Sequence, residues 1–263
     1  MADAAGSGAA PAGRTGAISD RNPDPTTKGK RVSDWTILCD FDGTIALDDT
    51  TDTLLERFGR PGWEKLEGDW RAGLIGSHDC MAGQVALLDM SRADLDAHLA
   101  ARAIDPAFAE FVRVAHVAGV HIEVLSDGLD YAIRTVLGRH GLDWLPITSN
   151  RLEPAGERAW RLEFPNASPT CRVASGTCKC MRARATRKRV LLIGDGGSDF
   201  CVAEAVDFVF AKSRLIDHCA ARGIAHAPIA GFADALALLP DLLDGKLSGA
   251  PYLLPPLPDA AMA

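Results

Sequence analysis

Residues 36–44 read Thr-Ile-Leu-Cys-Asp-Phe-Asp-Gly-Thr, a short apolar run followed by two acidic residues and a glycine. A run of this length that ends at Asp and Gly predicts a buried strand of a parallel sheet. On an extended chain residues i and i+2 project to the same side, so Asp40 and Asp42 face one side while Phe41 points into the core. The stretch therefore predicts a strand whose carboxyl end carries a pair of carboxylates.

Apolar runs of the same kind recur at 120–125, 190–193 and 208–210, and helical patterns separate them. One of these patterns begins after Asp105-Pro106, a pair typical of a helix N-cap followed by proline at the first helical position. Alternating strands and helices predict an α/β fold with a doubly wound, mainly parallel sheet.

Two segments depart from this alternation. Residues 49–103 show helical patterns without a convincing strand, which indicates a helical cap inserted after the first strand. Residues 150–165 contain two short β-prone runs around a Pro-Ala-Gly turn and predict a β-hairpin. The expected organisation is a disordered N-terminal tail at 1–31, an α/β core at 32–48 and 104–245, the cap at 49–103, and an irregular C-terminal tail at 246–263.

The charge balance limits the partners of the protein. The chain of 263 residues has 28 Lys and Arg against 35 Asp and Glu, a formal net charge of −7. An acidic surface repels phosphate backbones, so general nucleic-acid binding is not expected, and no apolar run approaches the roughly 18 residues of a membrane span. The first residues lack a secretory signal, and seven cysteines at irregular spacing predict reduced thiols. We therefore expect a cytoplasmic protein.

Polar side chains follow three of the predicted strands, at the edge where ligands bind in open α/β sheets. They are Asp40 and Asp42, then Ser126 and Asp127, then Asp195 and Asp199. Carboxylates packed this closely repel one another unless a cation lies among them. Because oxygen donors suit a hard cation, the expected cofactor is Mg²⁺.

The same residues suit phosphoryl transfer. One carboxylate of the Asp40 and Asp42 pair can attack a phosphoryl group while the other moves a proton. Ser126-Asp127-Gly128 offers a hydroxyl and loop amides at an expected helix N-terminus, which would cradle a phosphate. Each motif alone has a plainer interpretation, as a strand-ending turn or a helix cap. Three such motifs in this order, each after a strand, favour the functional interpretation.

Four motifs together resemble the signature of haloacid dehalogenase-type phosphatases: Asp40-Phe-Asp-Gly-Thr44, Ser126-Asp-Gly128, Lys179 and Gly194-Asp-Gly-Gly-Ser-Asp199. The resemblance extends from Thr36 to about Asp244 and includes the helical insert, which that family uses as a mobile cap. It implies a Mg²⁺-dependent phosphomonoesterase that hydrolyses a small phosphorylated metabolite through an aspartyl-phosphate intermediate.

The resemblance also implies roles for individual residues. Asp40 would be the nucleophile and Asp42 the general acid and base. Both would bind Mg²⁺ together with Asp195, and Asp42 would do so through its backbone carbonyl. Asp199 would orient Lys179 or a metal-bound water. The phosphate-binding residues would be Thr44, Ser126, Asp127, Gly128, Lys179 and Ser198.

The lysine of the third motif has alternatives. Lys179 lies in a Gly-Thr-Cys-Lys loop ahead of the strand that precedes the last motif, which favours it. Lys188 and Lys212 are the other candidates, because this motif is loosely defined.

Three cysteines surround this lysine, namely Cys171, Cys178 and Cys180. Their spacing matches structural zinc sites poorly, because no histidine or second cysteine pair accompanies it. We expect reduced thiols that stabilise the loop, with a reversible disulfide that gates Lys179 as an alternative.

Within the family, the sequence resembles phosphoserine phosphatases and the methionine-salvage phosphatases that act on 2-hydroxy-3-keto-5-methylthiopentenyl-1-phosphate. Phosphoserine phosphatases hold the substrate carboxylate with a cap arginine, whereas residues 72–91 of this chain contain no arginine. The salvage-type substrate is therefore favoured, and phosphoserine or another small phosphoester is the alternative. A non-catalytic phosphate-binding regulator is the alternative of a different class. Asp49, Met81 and Gln84 are the candidate substrate contacts of the cap.

Overall fold

The computed structural model describes residues 33–247. The disordered tail predicted for 1–31 lies outside the described residues, as does all but the beginning of the irregular tail predicted for 246–263. Among the described residues, no helix is both long enough and apolar enough to cross a bilayer.

One seven-stranded sheet is present in the described part of the chain, with the strand order β4-β3-β2-β1-β5-β6-β7. Neighbouring strands are parallel except β3 and β4, which form an antiparallel hairpin. The predicted α/β fold with a mainly parallel sheet and a hairpin is confirmed. The strands are β1 (Trp35–Cys39), β2 (His121–Leu129), β3 (Ile147–Pro154), β4 (Trp160–Glu163), β5 (Arg189–Gly194), β6 (Phe208–Ala211) and β7 (His226–Pro228).

Helices cover both faces of this sheet. Between Ser33 and Leu247 they are α1 (Thr50–Phe58), α2 (Trp63–Arg71), α3 (Ser77–Ala86), α4 (Arg92–Ala100), α5 (Phe108–Val117), α6 (Asp130–Gly138), α7 (Lys179–Ala185), α8 (Phe200–Ala203), α9 (Ser213–Arg222) and α10 (Phe232–Leu243).

Strand β1 lies at the centre of the sheet because it is apolar on both faces. Ile37 and Cys39 pack into the larger apolar cluster, which contains residues of α5, α6 and α10, whereas Leu38 packs into a second cluster with residues of α7, α8 and α9. Cys39 pairs with Val124 of β2 on one side and with Ile193 of β5 on the other. Asp40, the next residue, therefore emerges between the carboxyl ends of two neighbouring strands.

The segment between β1 and α5 forms the four helices α1 to α4. Leu54, Val85 and Leu99 of these helices belong to the same apolar cluster as Ile37 of the sheet. The insert is thus helical, as predicted, and it shares a core with the sheet. The division into a core and a separate cap at 49–103 remains a prediction.

Asp105 does not cap α5 in the predicted way, because the helix begins at Phe108, two residues after the predicted first position. One carboxylate oxygen of Asp105 accepts the N–H of Ala107 at 2.9 Å, and the other accepts the N–H of Phe232 at 3.0 Å. Phe232 is the first residue of α10, so this buried carboxylate joins the turn before α5 to the start of a helix far along the chain.

Replacing Asp105 by alanine should lower the free energy of unfolding by about 1–3 kcal/mol, because the buried N–H of Phe232 loses its acceptor. Equilibrium urea unfolding measures the change. Glu110→Ala is the matched control, since it removes the same charge from an exposed pair with Arg113 on α5, and it should leave the unfolding midpoint nearly unchanged. Equal losses in both variants would contradict the assigned role of Asp105.

Candidate functional site

Three carboxylates meet beyond the ends of β1 and β5. Oxygen atoms of Asp40, Asp195 and Asp199 lie within 4.8 Å of one another. The parallel register explains their proximity, because Asp40 follows β1 and Asp195 follows its neighbour β5. An all-oxygen donor set of this kind could hold a hard divalent cation.

The ammonium of Lys179 lies among these carboxylates. Its Nζ is 2.8 Å from Asp40 Oδ2 and 2.7 Å from Asp199 Oδ1, and it donates to Ser198 Oγ at 3.3 Å. Burial alone would lower the pKa of this ammonium, but Asp199 and Asp40 outweigh it, so the pKa is raised and the lysine stays charged.

The two alternative lysines lie elsewhere. Lys188 donates to the backbone carbonyl of Ser33 at 2.8 Å, before the first residues of β1 and β5 and thus at the opposite strand ends from Asp40 and Asp195. Lys212 donates to the carbonyl of Gly43 at 2.9 Å and to that of Thr44 at 3.3 Å, so it holds the turn that follows β1. Of the three candidates, Lys179 is the one whose ammonium contacts Asp40.

Burial and mutual repulsion govern the ionisation of the acids. Desolvation raises the pKa of Asp40 well above its usual value, and the charge of Asp199 raises it further despite the opposing charge of Lys179. The pKa of Asp195 is raised by the same two causes, burial first and Asp199 second. Carboxylates in such surroundings gain most from a nearby cation.

The turn after β1 is built around Asp195. Gly43 has a φ of 70°, and a Cβ at this position would lie 2.7 Å from Asp195 Oδ2, so no larger residue fits without moving the acid. The hydroxyl of Thr44 donates to Asp195 Oδ1 at 3.3 Å. Thr44 is fully buried behind the cavity wall. Its side chain therefore positions Asp195, and the predicted contact of Thr44 with phosphate stays a prediction.

The oxygens of Asp42 contact groups other than the three clustered acids. Its Oδ1 accepts the N–H of Thr50 in the first turn of α1 at 2.8 Å. Its Oδ2 faces Gly128 so closely that a Cβ there would lie 2.5 Å away. Burial raises the pKa of this carboxyl. The side chain thus stands beside the end of β2, on the other side of Asp40 from β5.

The second motif belongs to β2 itself, since the strand runs through Gly128 and α6 begins only at Asp130. The prediction that the motif stands at a helix N-terminus is therefore wrong by two residues. Ser126 Oγ accepts the N–H of Gly128 at 2.9 Å, which folds the hydroxyl back over the strand end.

The carboxylate of Asp127 connects four parts of the chain. It accepts hydrogen bonds from the hydroxyl of Ser77 on α3, from the amide of Asn150 on β3 at 3.0 Å, and from the N–H of Thr177 at 2.7 Å. Because both carboxylate oxygens already accept hydrogen bonds, this side chain has little capacity to bind a phosphate. Phosphate binding by Asp127 stays a prediction, and these contacts favour its backbone for that role.

A cavity of about 230 Å³ opens over the acids. The predicted cap residues Asp49, Met81 and Gln84 all line it, as do Ser126, Gly128 and Ser198. Eight further side chains line it that the sequence did not predict, which are those of Thr51, Asp52, Glu67, Trp70, Arg71, Ser77, Cys80 and Arg214.

Glu67, Trp70 and Arg71 could have been found from their spacing, because residues at i, i+3 and i+4 share one face of α2. Glu67 accepts from Arg71 Nε at 2.8 Å and from Gln84 Nε2 at 3.2 Å. The cavity thus contains an arginine just before the segment 72–91, and a carboxylate already holds it. The lack of arginine in residues 72–91 therefore does not leave the cavity without one.

The model of the haloacid dehalogenase-like hydrolase family matches residues 37–204. The chain belongs to this family. The match begins in β1 and ends just after α8, so it includes the clustered acids, Lys179 and the helical insert.

Relatives of this hydrolase include two proteins named 2-hydroxy-3-keto-5-methylthiopentenyl-1-phosphate phosphatase. The one from Exiguobacterium sp. strain AT1b is 30% identical over 212 residues, which cover 77% of this chain and 96% of the relative. The one from Brevibacillus brevis is 31% identical over 210 residues, covering 77% and 94%. A phosphoserine phosphatase solved as a phospho-aspartyl intermediate analogue has the same fold, with a TM-score of 0.59 at 17% identity over 77% of this chain and 97% of that chain.

Replacing Lys179 of the hydrolase by methionine should lower the free energy of unfolding by about 3–5 kcal/mol, because buried carboxylates lose their cation. Chemical unfolding in metal-free buffer measures the loss. Lys188→Met changes the same residue type in the same part of the chain but removes a hydrogen bond to a backbone carbonyl, and its effect should be much smaller. A Lys179→Met protein as stable as the wild type would refute the assigned ion pairs.

Proposed function

We propose that this hydrolase is a Mg²⁺-dependent phosphatase of small phosphorylated metabolites, with Asp40 as the nucleophile. The observation that carries the proposal is the contact of the buried Lys179 ammonium with Asp40 at 2.8 Å, beneath a cavity large enough for a small ester. Fixed positive charge beside a carboxylate provides a place for an incoming phosphoryl group, whose charge spreads over its oxygens during transfer.

The reaction would proceed in two steps. A carboxylate oxygen of Asp40 attacks phosphorus, the ester P–O bond breaks, and Asp42 gives its proton to the departing alcohol oxygen. Water then attacks the phosphorus of the aspartyl phosphate and passes a proton to Asp42, which releases inorganic phosphate and restores Asp40. Oδ1 of Asp42 accepts the N–H of Thr50, so Oδ2, which faces Gly128, would serve both proton transfers.

Three oxygen donors would hold the Mg²⁺ ion: the carboxylates of Asp40 and Asp195 and the backbone carbonyl of Asp42. The ion would neutralise charge on the phosphoryl oxygens. The fit rests on the convergence of carboxylate oxygens and on the glycine at 43, which leaves room for Asp195. Asp199 would support the site, because one of its oxygens binds Lys179 and the other accepts the N–H of Asp195 at 3.0 Å.

Groups at the ends of β2 and β5, together with the lysine of α7, would bind the phosphoryl oxygens. We assign this role to Lys179, to the hydroxyls of Ser126 and Ser198, and to the backbone amides of Asp127 and Gly128. Ser126, Ser198 and Gly128 line the cavity, and Ser198 Oγ is 3.4 Å from Asp40 Oδ2.

Replacing Asp40 by asparagine should abolish hydrolysis of a chromogenic phosphomonoester, with a loss of at least about a thousandfold in kcat. Wild-type activity should disappear in a chelator and return with Mg²⁺. Asp48→Asn, which changes an exposed acid paired with Arg102 at 3.6 Å, is the matched control and should retain activity. If the wild type and Asp40→Asn were equally inert across several esters, the chain would be a non-catalytic phosphate-binding protein.

The substrate we favour is 2-hydroxy-3-keto-5-methylthiopentenyl-1-phosphate, which has no carboxylate. The names of the relatives support it, and so does the charge of the cavity wall above the acids. Asp49, Asp52 and Glu67 add negative charge there, and Glu67 already binds Arg71. Met81, Cys80 and Trp70 give the same wall an apolar part that suits a thioether.

Phosphoserine is the second candidate, because Arg71 and Arg214 both line the cavity. Either guanidinium could pair with a substrate carboxylate, Arg71 only after its pair with Glu67 is broken. Cytoplasmic location, and the absence of nucleic-acid and membrane partners, stay predictions from the sequence.

Exchanging Glu67 for glutamine should release Arg71 and raise kcat/KM for phosphoserine relative to the methylthiopentenyl ester, on the order of tenfold. Glu64→Gln on the exposed face of α2 makes the same chemical change and should leave this ratio of kcat/KM values unchanged. Steady-state kinetics with the two esters test both points. Wild-type preference for phosphoserine would overturn the favoured substrate, and an unchanged ratio in Glu67→Gln would overturn the role of Glu67.

A further inference from the structure

Four cysteines surround the helix that carries Lys179, and the proposed mechanism uses none of them. We call Cys171, Cys178, Cys180 and Cys201 the sulfur cluster. Cys171 lies in the loop before α7, Cys178 and Cys180 flank Lys179, and Cys201 lies on α8. All four are free thiols.

One pair in the sulfur cluster is almost in bonding contact. The Sγ atoms of Cys180 and Cys201 are 2.9 Å apart. A disulfide bond is about 2.05 Å long, so an approach of about 0.9 Å would join them. Cys180 is buried and Cys201 is half-buried, which gives a small oxidant access to the pair through Cys201.

The pair lies directly behind the buried ion pair. Cys180 follows Lys179 in the first turn of α7, and Cys201 comes two residues after Asp199. Lys179 and Asp199 are themselves 2.7 Å apart. Because α7 has seven residues and α8 has four, neither helix is long enough to be stable without packing.

Arg172 holds the accessible sulfur in place. It donates to Cys201 Sγ at 3.3 Å and to a carboxylate oxygen of Glu204 at 3.0 Å. The sulfur of Cys171 instead lies 3.0 Å from the hydroxyl of Ser175. Burial alone would raise the pKa of Cys171, but the hydrogen bonds from Ser175 hold that pKa below its usual value. Cys171 is therefore the competing thiol that an experiment must distinguish.

We propose that Cys180 and Cys201 form a reversible disulfide that links α7 to α8 behind the ion pair of Lys179 and Asp199. The two sulfurs are already close, so bond formation needs little movement and leaves Lys179 beside Asp40. The oxidised protein therefore keeps its site and gains a covalent link between the two short helices that carry it.

The oxidant is a peroxide. The sulfur of Cys201 attacks one peroxide oxygen and becomes a sulfenic acid, and the O–O bond breaks as the other oxygen leaves as water or alcohol. The sulfur of Cys180 then attacks the Cys201 sulfur, and the sulfenic hydroxyl leaves as water. Two thiols lose two electrons and two protons, which the peroxide accepts. A dithiol reverses the step by exchange and becomes a disulfide itself.

Peptide mapping of the full-length wild-type protein tests the bond without any variant. The protein is reduced, treated with a small excess of hydrogen peroxide, blocked with an alkylating reagent and digested with trypsin. The expected product joins peptide 180–182, which contains Cys180, to peptide 190–212, which contains Cys201. A link between peptides 162–172 and 173–179 would instead join Cys171 to Cys178 and would overturn the proposal.

Thermal unfolding tests the consequence. Oxidation should raise Tm by roughly 5–10 °C, because the cross-link restricts the unfolded chain, and dithiothreitol should reverse the shift. Cys201→Ser should lose both the linked peptide and the shift, whereas Cys171→Ser should keep them. A Tm that does not respond, or that responds equally in Cys201→Ser, would refute the link. These readouts do not depend on hydrolysis, so they remain valid whatever the substrate is.

Discussion

The ion pairs of Lys179 with Asp40 and Asp199 are the interaction on which the site depends. Parallel strands β1 and β5 end side by side, so the acids that follow them are forced into one buried place. Charges of one sign in such a place raise each other's pKa and oppose folding unless a cation lies among them. Lys179 supplies that charge from a helix outside the sheet, and the arrangement remains suited to a further cation.

A second network connects this centre to the parts of the chain that surround it. The carboxylate of Asp127 binds α3 through Ser77, β3 through Asn150, and the loop before Lys179 through Thr177. A displacement of α3 would therefore act on the loop before Lys179 through the carboxylate of Asp127. This carboxylate contacts Ser77 of the cavity wall and the backbone two residues before Lys179, so it joins the wall to the segment that carries the buried lysine.

In the proposed phosphatase, selectivity would depend on the cavity wall rather than on the acids beneath it. In the proposed reaction the acids at the strand ends act on the phosphoryl group that all such esters share, whereas Glu67 and Arg71 on α2 line the cavity wall. Whether Arg71 can bind a substrate carboxylate depends on its partner Glu67, and thus on charge pairing within a single helix. Selectivity in such a wall follows from which charges are already paired.

The sequence by itself determined the fold class and the strand ends that carry acids, because the alternation of strands with helices and the patterns of buried strands are properties of short segments. The same patterns singled out Asp40, Asp42, Asp195 and Asp199 as candidate site residues. The tertiary structure alone decided which of three lysines meets those acids. It also turned Thr44 and Asp127 inward as supports, and it placed Glu67 and Arg71 over the site. The physical reason is that these outcomes depend on contacts between residues far apart in sequence, where packing and burial select one partner among several of the same chemical type.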